Sequence, residues 1–158
     1  FIPEGSSRQM TEKRFIETMR EICDIAGQYN VEMILEPVNR YEINFINSVD
    51  EGAAILEQVG RTNCGLQPDV FHMNIEDDDI GKSLMRNKKW IRYVHLADSN
   101  RYAPGMGHID FQGVFDSLRM ADYDGWVSVE ILPGEDPDKM AKTSIQYLKP
   151  LIQQYNKS

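Results

Sequence analysis

Four polar side chains, Glu36, Asp69, His95 and Glu130, stand in or at the end of short apolar runs. The runs are "VEMILE" (31–36), "NCGLQPD" (63–69), "IRYVHLAD" (91–98) and "GWVSVEIL" (125–132). Taken singly, each has an ordinary explanation. A carboxylate at a strand end is usually solvated, and a histidine within a strand is usually a hydrogen-bonded core residue. Likewise Asp69-x-x-His72 reads either as a strand end entering a polar loop or as half of a metal site. Taken together they are harder to dismiss, because an unpaired carboxylate in a buried strand such as that of Glu130 costs several kcal/mol. A divalent cation shared by three carboxylates and one imidazole would satisfy all four. An oxygen-rich set with one nitrogen suits Mn²⁺ best, with Co²⁺ or Mg²⁺ as alternatives, and Zn²⁺ is not excluded by affinity.

Such a site needs elements that carry the four side chains to one place. The apolar runs are too short for helices and read as buried strands. Between and around them lie helical patterns: residues 11–28, a helix opened by the capping box Ser48-Val49-Asp50-Glu51 and ended by Gly60, a weaker stretch over 78–89, and "FQGVFDSLRMAD" (111–122). A last helix starts at Pro137 with Met140, Ile145, Leu148 and Ile152 turned to the core. The order is one helix followed by four βα units, which calls for an α/β fold with a parallel sheet. The turn after the first strand, "EPVNRYE", has no glycine, so a dinucleotide site is not expected. The remaining architecture is a partial (β/α)8 TIM barrel. A closed one takes eight strands and about 250 residues, so four units in a single domain over 1–158 read as its C-terminal half, truncated at the N-terminus. In barrels the reactive residues sit at the C-terminal strand ends, and Glu36, Asp69, His95 and Glu130 are the residues found there.

Composition narrows the function classes. The 158 residues carry a net charge of −8, which disfavours a nucleic-acid surface. The one basic cluster, Arg86 to Lys89, reads as a solvated helix face. No stretch approaches the roughly 20 apolar residues that span a bilayer, and no secretory leader is recognisable. Two cysteines do not make a disulfide framework. Cys23 shares an apolar helix face with Phe15, Met19, Ile22 and Ala26 and is expected as a buried reduced thiol, which goes with a cytoplasmic setting. The opening "FIPEGSS", without Met, points to a fragment or a processed piece. Trp90 and Trp126 are expected in core or barrel-wall packing, His108 at the rim, Asp98 as a loop cap, and the acidic run 77–79 as a helix start.

Four segments together resemble one family. "LEPVNRYE" (35–42), "DVFHMNIED" (69–77), "HLADSNRYAPGMGHIDF" (95–111) and "VEILP" (129–133) are similar to the ketose 3-epimerases, the D-tagatose and D-psicose epimerases of the xylose isomerase-like TIM barrel superfamily. The gaps between the four candidate ligands, 33, 26 and 35 residues, have that family's order and approximate spacing. The resemblance implies a metal held by Glu36, Asp69, His95 and Glu130. It also implies Glu36 and Glu130 as an acid/base pair on opposite faces of the sugar. Glu42, His72 and Arg101 match positions that hold the substrate's oxygens. The implied reaction inverts C3 of a ketose or keto-sugar through a metal-stabilised enediolate. Two alternatives stand beside it: an aldose–ketose isomerase of the hydroxypyruvate isomerase type, and an inactive metal-binding half-barrel. A DNA-repair endonuclease of the same superfamily would call for more than three histidines and a different charge. A half barrel also leaves two strand edges and its inner face open, so pairing with a second copy or with a missing N-terminal half is expected.

Overall fold

Short-range signals set most element boundaries in the structure, a computed structural model that describes residues 1–155. The chain runs α1 (Arg8–Gly27), β1 (Met33–Leu35), α2 (Val49–Val59), β2 (Cys64–Leu66), α3 (Val70–Glu76), α4 (Ile80–Arg86), β3 (Tyr93–Leu96), α5 (Phe111–Met120), β4 (Trp126–Val129) and α6 (Pro137–Tyr155). At the head of α2 the Ser48 side chain accepts the Glu51 N–H, while Glu51 reaches back one residue further to the Asn47 N–H. Gly60 ends the helix in the left-handed conformation (φ 63°), which glycine adopts without Cβ strain. α1 begins at Arg8 rather than near Thr11, because Ser7 caps it by accepting the Met10 N–H. Helix α3 is not among the helical patterns of the sequence, where Asp69-x-x-His72 reads as a strand end entering a polar loop or as half of a metal site.

All strand pairing is parallel. β1 pairs with β2 (Met33↔Cys64, Ile34↔Gly65, Leu35↔Leu66), and β3 pairs with β4 (Tyr93↔Trp126 through Leu96↔Val129). Isolated bridges Leu66↔Ile91 and Asp69↔His95 join the two pairs into the order β1-β2-β3-β4. The result is the expected α/β half barrel, with no closed barrel among the described residues.

Alternation along the strands gives the sheet two unlike faces. Leu66, Val94 and Leu96 are fully buried on the helix side, joined by Met33, Leu35, Val127 and Val129. Leu56, Phe111 and Leu118 close over them, each such side chain stabilising the fold by about 1.5–3 kcal/mol. The opposite parity, Ile34, Tyr93, Trp126 and Ser128, lines the inner face. That face is open, and it corrects one expectation: Trp126 is 78% exposed, whereas Trp90 does pack against the core. Ile145 is also outward, at 54% exposure. On α6 the inward row steps by four through Met140, Ser144 and Leu148, and Ser144 satisfies its hydroxyl on the Met140 carbonyl.

The expected state of Cys23 is found, whereas Lys88 and Lys89 lie in the turn after α4 rather than on its face. Cys23 and Cys64 are both buried free thiols, although Ile22 turns outward from the Cys23 face. The basic cluster is paired off, with Arg86 on Asp50 and Asp78, Lys88 on Asp122 and Lys89 on Glu57. No helix among the described residues is long and apolar enough to cross a membrane.

The acidic run divides between two helices. Asp79 caps the start of α4, and Asp77 sits at the end of α3, where it accepts from the Ser83 hydroxyl (2.5 Å). Its second oxygen is buried without a partner. Burial pushes the Asp77 carboxyl up to about 6. The folded chain therefore holds this proton to higher pH than the unfolded chain, whose carboxyl ionises near 3.8. Protonation favours the fold, and the contribution is lost as pH rises through that interval. Asp77→Asn should melt close to the parent at about pH 4 but at least about 3 °C above it at about pH 7.5. Thermal unfolding followed by circular dichroism checks this.

Candidate active site

The C-terminal ends of the four strands bring Glu36, Asp69, His95 and Glu130 to one point. One ligand atom from each lies within 4.8 Å of those of the other three. Glu36 Oε1 and Glu130 Oε2 each stand 3.5 Å from His95 Nδ1. The bridge Asp69↔His95 and the His95 N–H to the Pro68 carbonyl (2.9 Å) hold the second and third strand ends in register. Pro68 lies beyond β2, where its missing N–H costs no ladder bond.

Burial is unequal. Asp69 is wholly buried, and its two oxygens have different tasks. Oδ1 caps α3 by accepting the Phe71 N–H (2.9 Å), while Oδ2 has no hydrogen-bond partner. Glu36 Oε1 is likewise buried and unpartnered. Glu130 departs from expectation: it lies one residue past β4 with its side chain 47% exposed, because the inner face is open there. The cost of buried charge thus falls on Asp69 and Glu36. Desolvation, with the nearby Glu36 charge adding to it, raises the Asp69 carboxyl to about 7. Glu36 is raised by burial first and by Glu130 second. Two buried orphan oxygens beside an imidazole and a third carboxylate fit a divalent cation well, since the ion would supply what the protein does not.

The three further residues picked out by sequence lie beside this cluster. Arg101 donates to Glu42 Oε1 (3.1 Å) and to Glu130 Oε2 (3.2 Å), and its guanidinium stacks 4.8 Å from the Phe71 ring centroid. Its backbone is left-handed (φ 59°), a conformation costing a non-glycine residue of order 1 kcal/mol. Its N–H to the Asp98 carbonyl and its carbonyl to the Leu132 N–H hold it there. Asp98 is buried and accepts the N–H groups of Ser99, Gly105 and Ile109, so it shapes the loop as expected. A side chain at Gly107 would overlap that carboxylate. His108 hydrogen-bonds Ser99 through its Nδ1 and its backbone N–H.

His72 is 2% exposed on α3, with Nε2 3.9 Å from Asp69 Oδ2 and 3.4 Å from Arg101 Nη1. Burial and the Arg101 charge lower its pKa, which favours the neutral ring. Two residues at the site had no role assigned from sequence. Asn39 bonds both His72 and Glu42. Gln67 places Nε2 3.3 Å from His95 Nδ1. Gln67 was detectable by parity, since it shares the inner face with Asp69 two residues on.

Known proteins show the same arrangement of sequence and fold. The family described as xylose isomerase-like TIM barrel matches residues 2–151. An L-ribulose 3-epimerase of Methylomonas sp. (strain DH-1) is 34% identical over 140 residues, covering 88% of this chain and 49% of the relative. The 3-dehydro-D-guloside 4-epimerase of Escherichia coli is 31% identical over 138 residues, covering 87% and 53%. The crystal structure of an E. coli 3-keto-D-glucoside 4-epimerase superposes with a TM-score of 0.88 at 30% identity, over 94% of this chain and 57% of the other. The chain spans about half the length of the relatives it matches. The family match, the sequence identities and the superposition agree, and the chain belongs to the xylose isomerase-like TIM barrel family.

Proposed function

We propose that this chain carries the metal-binding half of a sugar epimerase that inverts C3 of a ketose or keto-sugar. The observation that carries this is the meeting of two unpartnered buried oxygens, on Glu36 and Asp69, with His95 and Glu130 at one end of the sheet. These four residues hold the ion, Mn²⁺ by preference and Co²⁺, Mg²⁺ or Zn²⁺ as alternatives, in keeping with their oxygen-rich set. When bound, the ion supplies positive charge where negative charge develops on the substrate's oxygens.

The protein's own groups do the remaining work. One of Glu36 and Glu130 takes the proton from C3, and the C–H electron pair moves toward the neighbouring carbonyl oxygen. The other returns a proton to the opposite face, which a single base would not do. Arg101 and His72 donate hydrogen bonds to the substrate oxygens, and Glu42 accepts from a hydroxyl. A relative named 2-oxo-tetronate isomerase, 27% identical over 84% of this chain, keeps the isomerase alternative in play. A competent sugar pocket also needs the open inner face covered, by a second copy or by a further barrel segment, and light scattering tells these apart.

Asp69→Asn should retain the fold, since it removes a buried charge, yet weaken Mn²⁺ binding by more than about 100-fold, the upper range for a residue that only supports a ligand. Calorimetric titration with Mn²⁺ measures it, and unchanged affinity would remove Asp69 from the site. With Mn²⁺ in D₂O, D-fructose or D-tagatose should yield the C3-inverted ketose carrying deuterium at C3. Glu36→Gln and Glu130→Gln, checked for Mn²⁺ occupancy, should each lower kcat by about 10²–10⁴-fold. Aldose without C3 inversion would select the isomerase, and Mn²⁺ binding without turnover the inactive half barrel.

A further inference from the structure

We infer that Asn39 is a positioning residue that holds His72 as the neutral Nε2–H tautomer, turning that imidazole into a dedicated hydrogen-bond donor. Asn39 is 2% exposed, in the turn after β1, and both its amide hydrogens and its amide oxygen have partners. Its Oδ1 accepts the Tyr41 N–H at 3.0 Å. Its Nδ2 lies 2.9 Å from Glu42 Oε1 and 2.7 Å from His72 Nδ1. The amide orientation therefore follows from partners whose roles are fixed. A backbone N–H can only donate, so the atom facing it is oxygen. The other amide atom, facing Glu42 and His72, is then nitrogen.

The tautomer follows from the same logic. A donor amide 2.7 Å from His72 Nδ1 requires a lone pair there, so the ring proton is on Nε2. Glu42 Oε1 is 4.0 Å from Nδ1, too far to take a proton from it directly. With the proton on Nε2, the 3.4 Å approach of Arg101 Nη1 is a meeting of two donors with no acceptor between them. An oxygen placed there accepts from both. That point borders the metal cluster, since Nε2 is 3.9 Å from Asp69 Oδ2. On the epimerase reading above, the oxygen is the substrate's, the one that gains negative charge as the C3 proton leaves. The same amide tethers Glu42, so one side chain sets the direction of two of the three substrate-facing groups.

The test uses this chain labelled with ¹⁵N-histidine, its long-range ¹H–¹⁵N spectrum assigned by comparison with His72→Gln. The expected wild-type spectrum has His72 Nδ1 unprotonated and Nε2 protonated. Asn39→Asp places an acceptor at Nδ1 and should protonate that nitrogen, by inverting the tautomer or charging the ring. Asn39→Leu removes the bond and should give a mixture. A wild-type ring protonated on Nδ1, or an Asn39→Asp ring identical to wild type, would overturn the assignment. The wild-type spectrum decides even if both variants fail to fold. In Mn²⁺-loaded protein turning over D-fructose, an Asn39→Asp ring that the spectrum shows protonated on Nδ1 alone should lower kcat about 10²-fold with Mn²⁺ affinity unchanged, as for loss of one oxyanion donor. Wild-type kcat in a folded variant with Nε2 deprotonated would overturn it. Absence of turnover with every ketose, beside the expected wild-type tautomer, counts against the epimerase and leaves the role of Asn39 standing.

Discussion

A carboxylate buried with one oxygen satisfied and the other left bare organises the active end of this molecule. Asp69 Oδ1 is used up in starting α3, and Oδ2 is left buried with nothing to bond in a residue that clusters with Glu36, His95 and Glu130. Desolvation makes that arrangement costly for the anion, and Glu36 nearby adds to the cost. The cap thus does two things at once. It positions α3, and through α3 it positions His72, three residues on and beside the same cluster.

Around this point the molecule separates rigidity from openness. On the helix side, alternate strand residues disappear into a continuous apolar core that holds the strand ends in register. The inner side keeps its polar residues near the mouth and leaves Ile34 and Trp126 uncovered. Charge is handled by short local pairings. Arg101 lies between Glu42 and Glu130, held by backbone hydrogen bonds in a left-handed conformation it would not choose alone. Asn39 reaches His72 and Glu42, Gln67 reaches His95, and both are neutral amides, which can orient charged partners without changing the local charge.

Much of this was legible in the chain. Alternating apolar runs and helical patterns were enough for the α/β half barrel, because period-2 and period-3.6 burial leave different marks. Ser48 and Gly60 marked both ends of α2 because capping is decided within a few residues. The four cluster residues were found as polar interruptions at strand ends, and the four motifs in register pointed to the family. Local rules failed where packing decided. Helix α3 was hidden because Asp69 was read for its chemistry and not as a cap. The outward Ile145 and the exposed Trp126 show that hydrophobicity does not say which neighbours will be present.

What the chain determined by itself was the kind of fold and the identity of the groups that could react, since periodicity and residue type are properties of neighbours in sequence. The tertiary structure alone decided the distances. It turned four separated residues into one cluster within 4.8 Å, left Glu130 half in solvent while Asp69 lost all of it, and carried Asn39 to His72, 33 residues away. Hydrogen bonds and shared charge act over a few ångströms of space, and no sequence interval measures that.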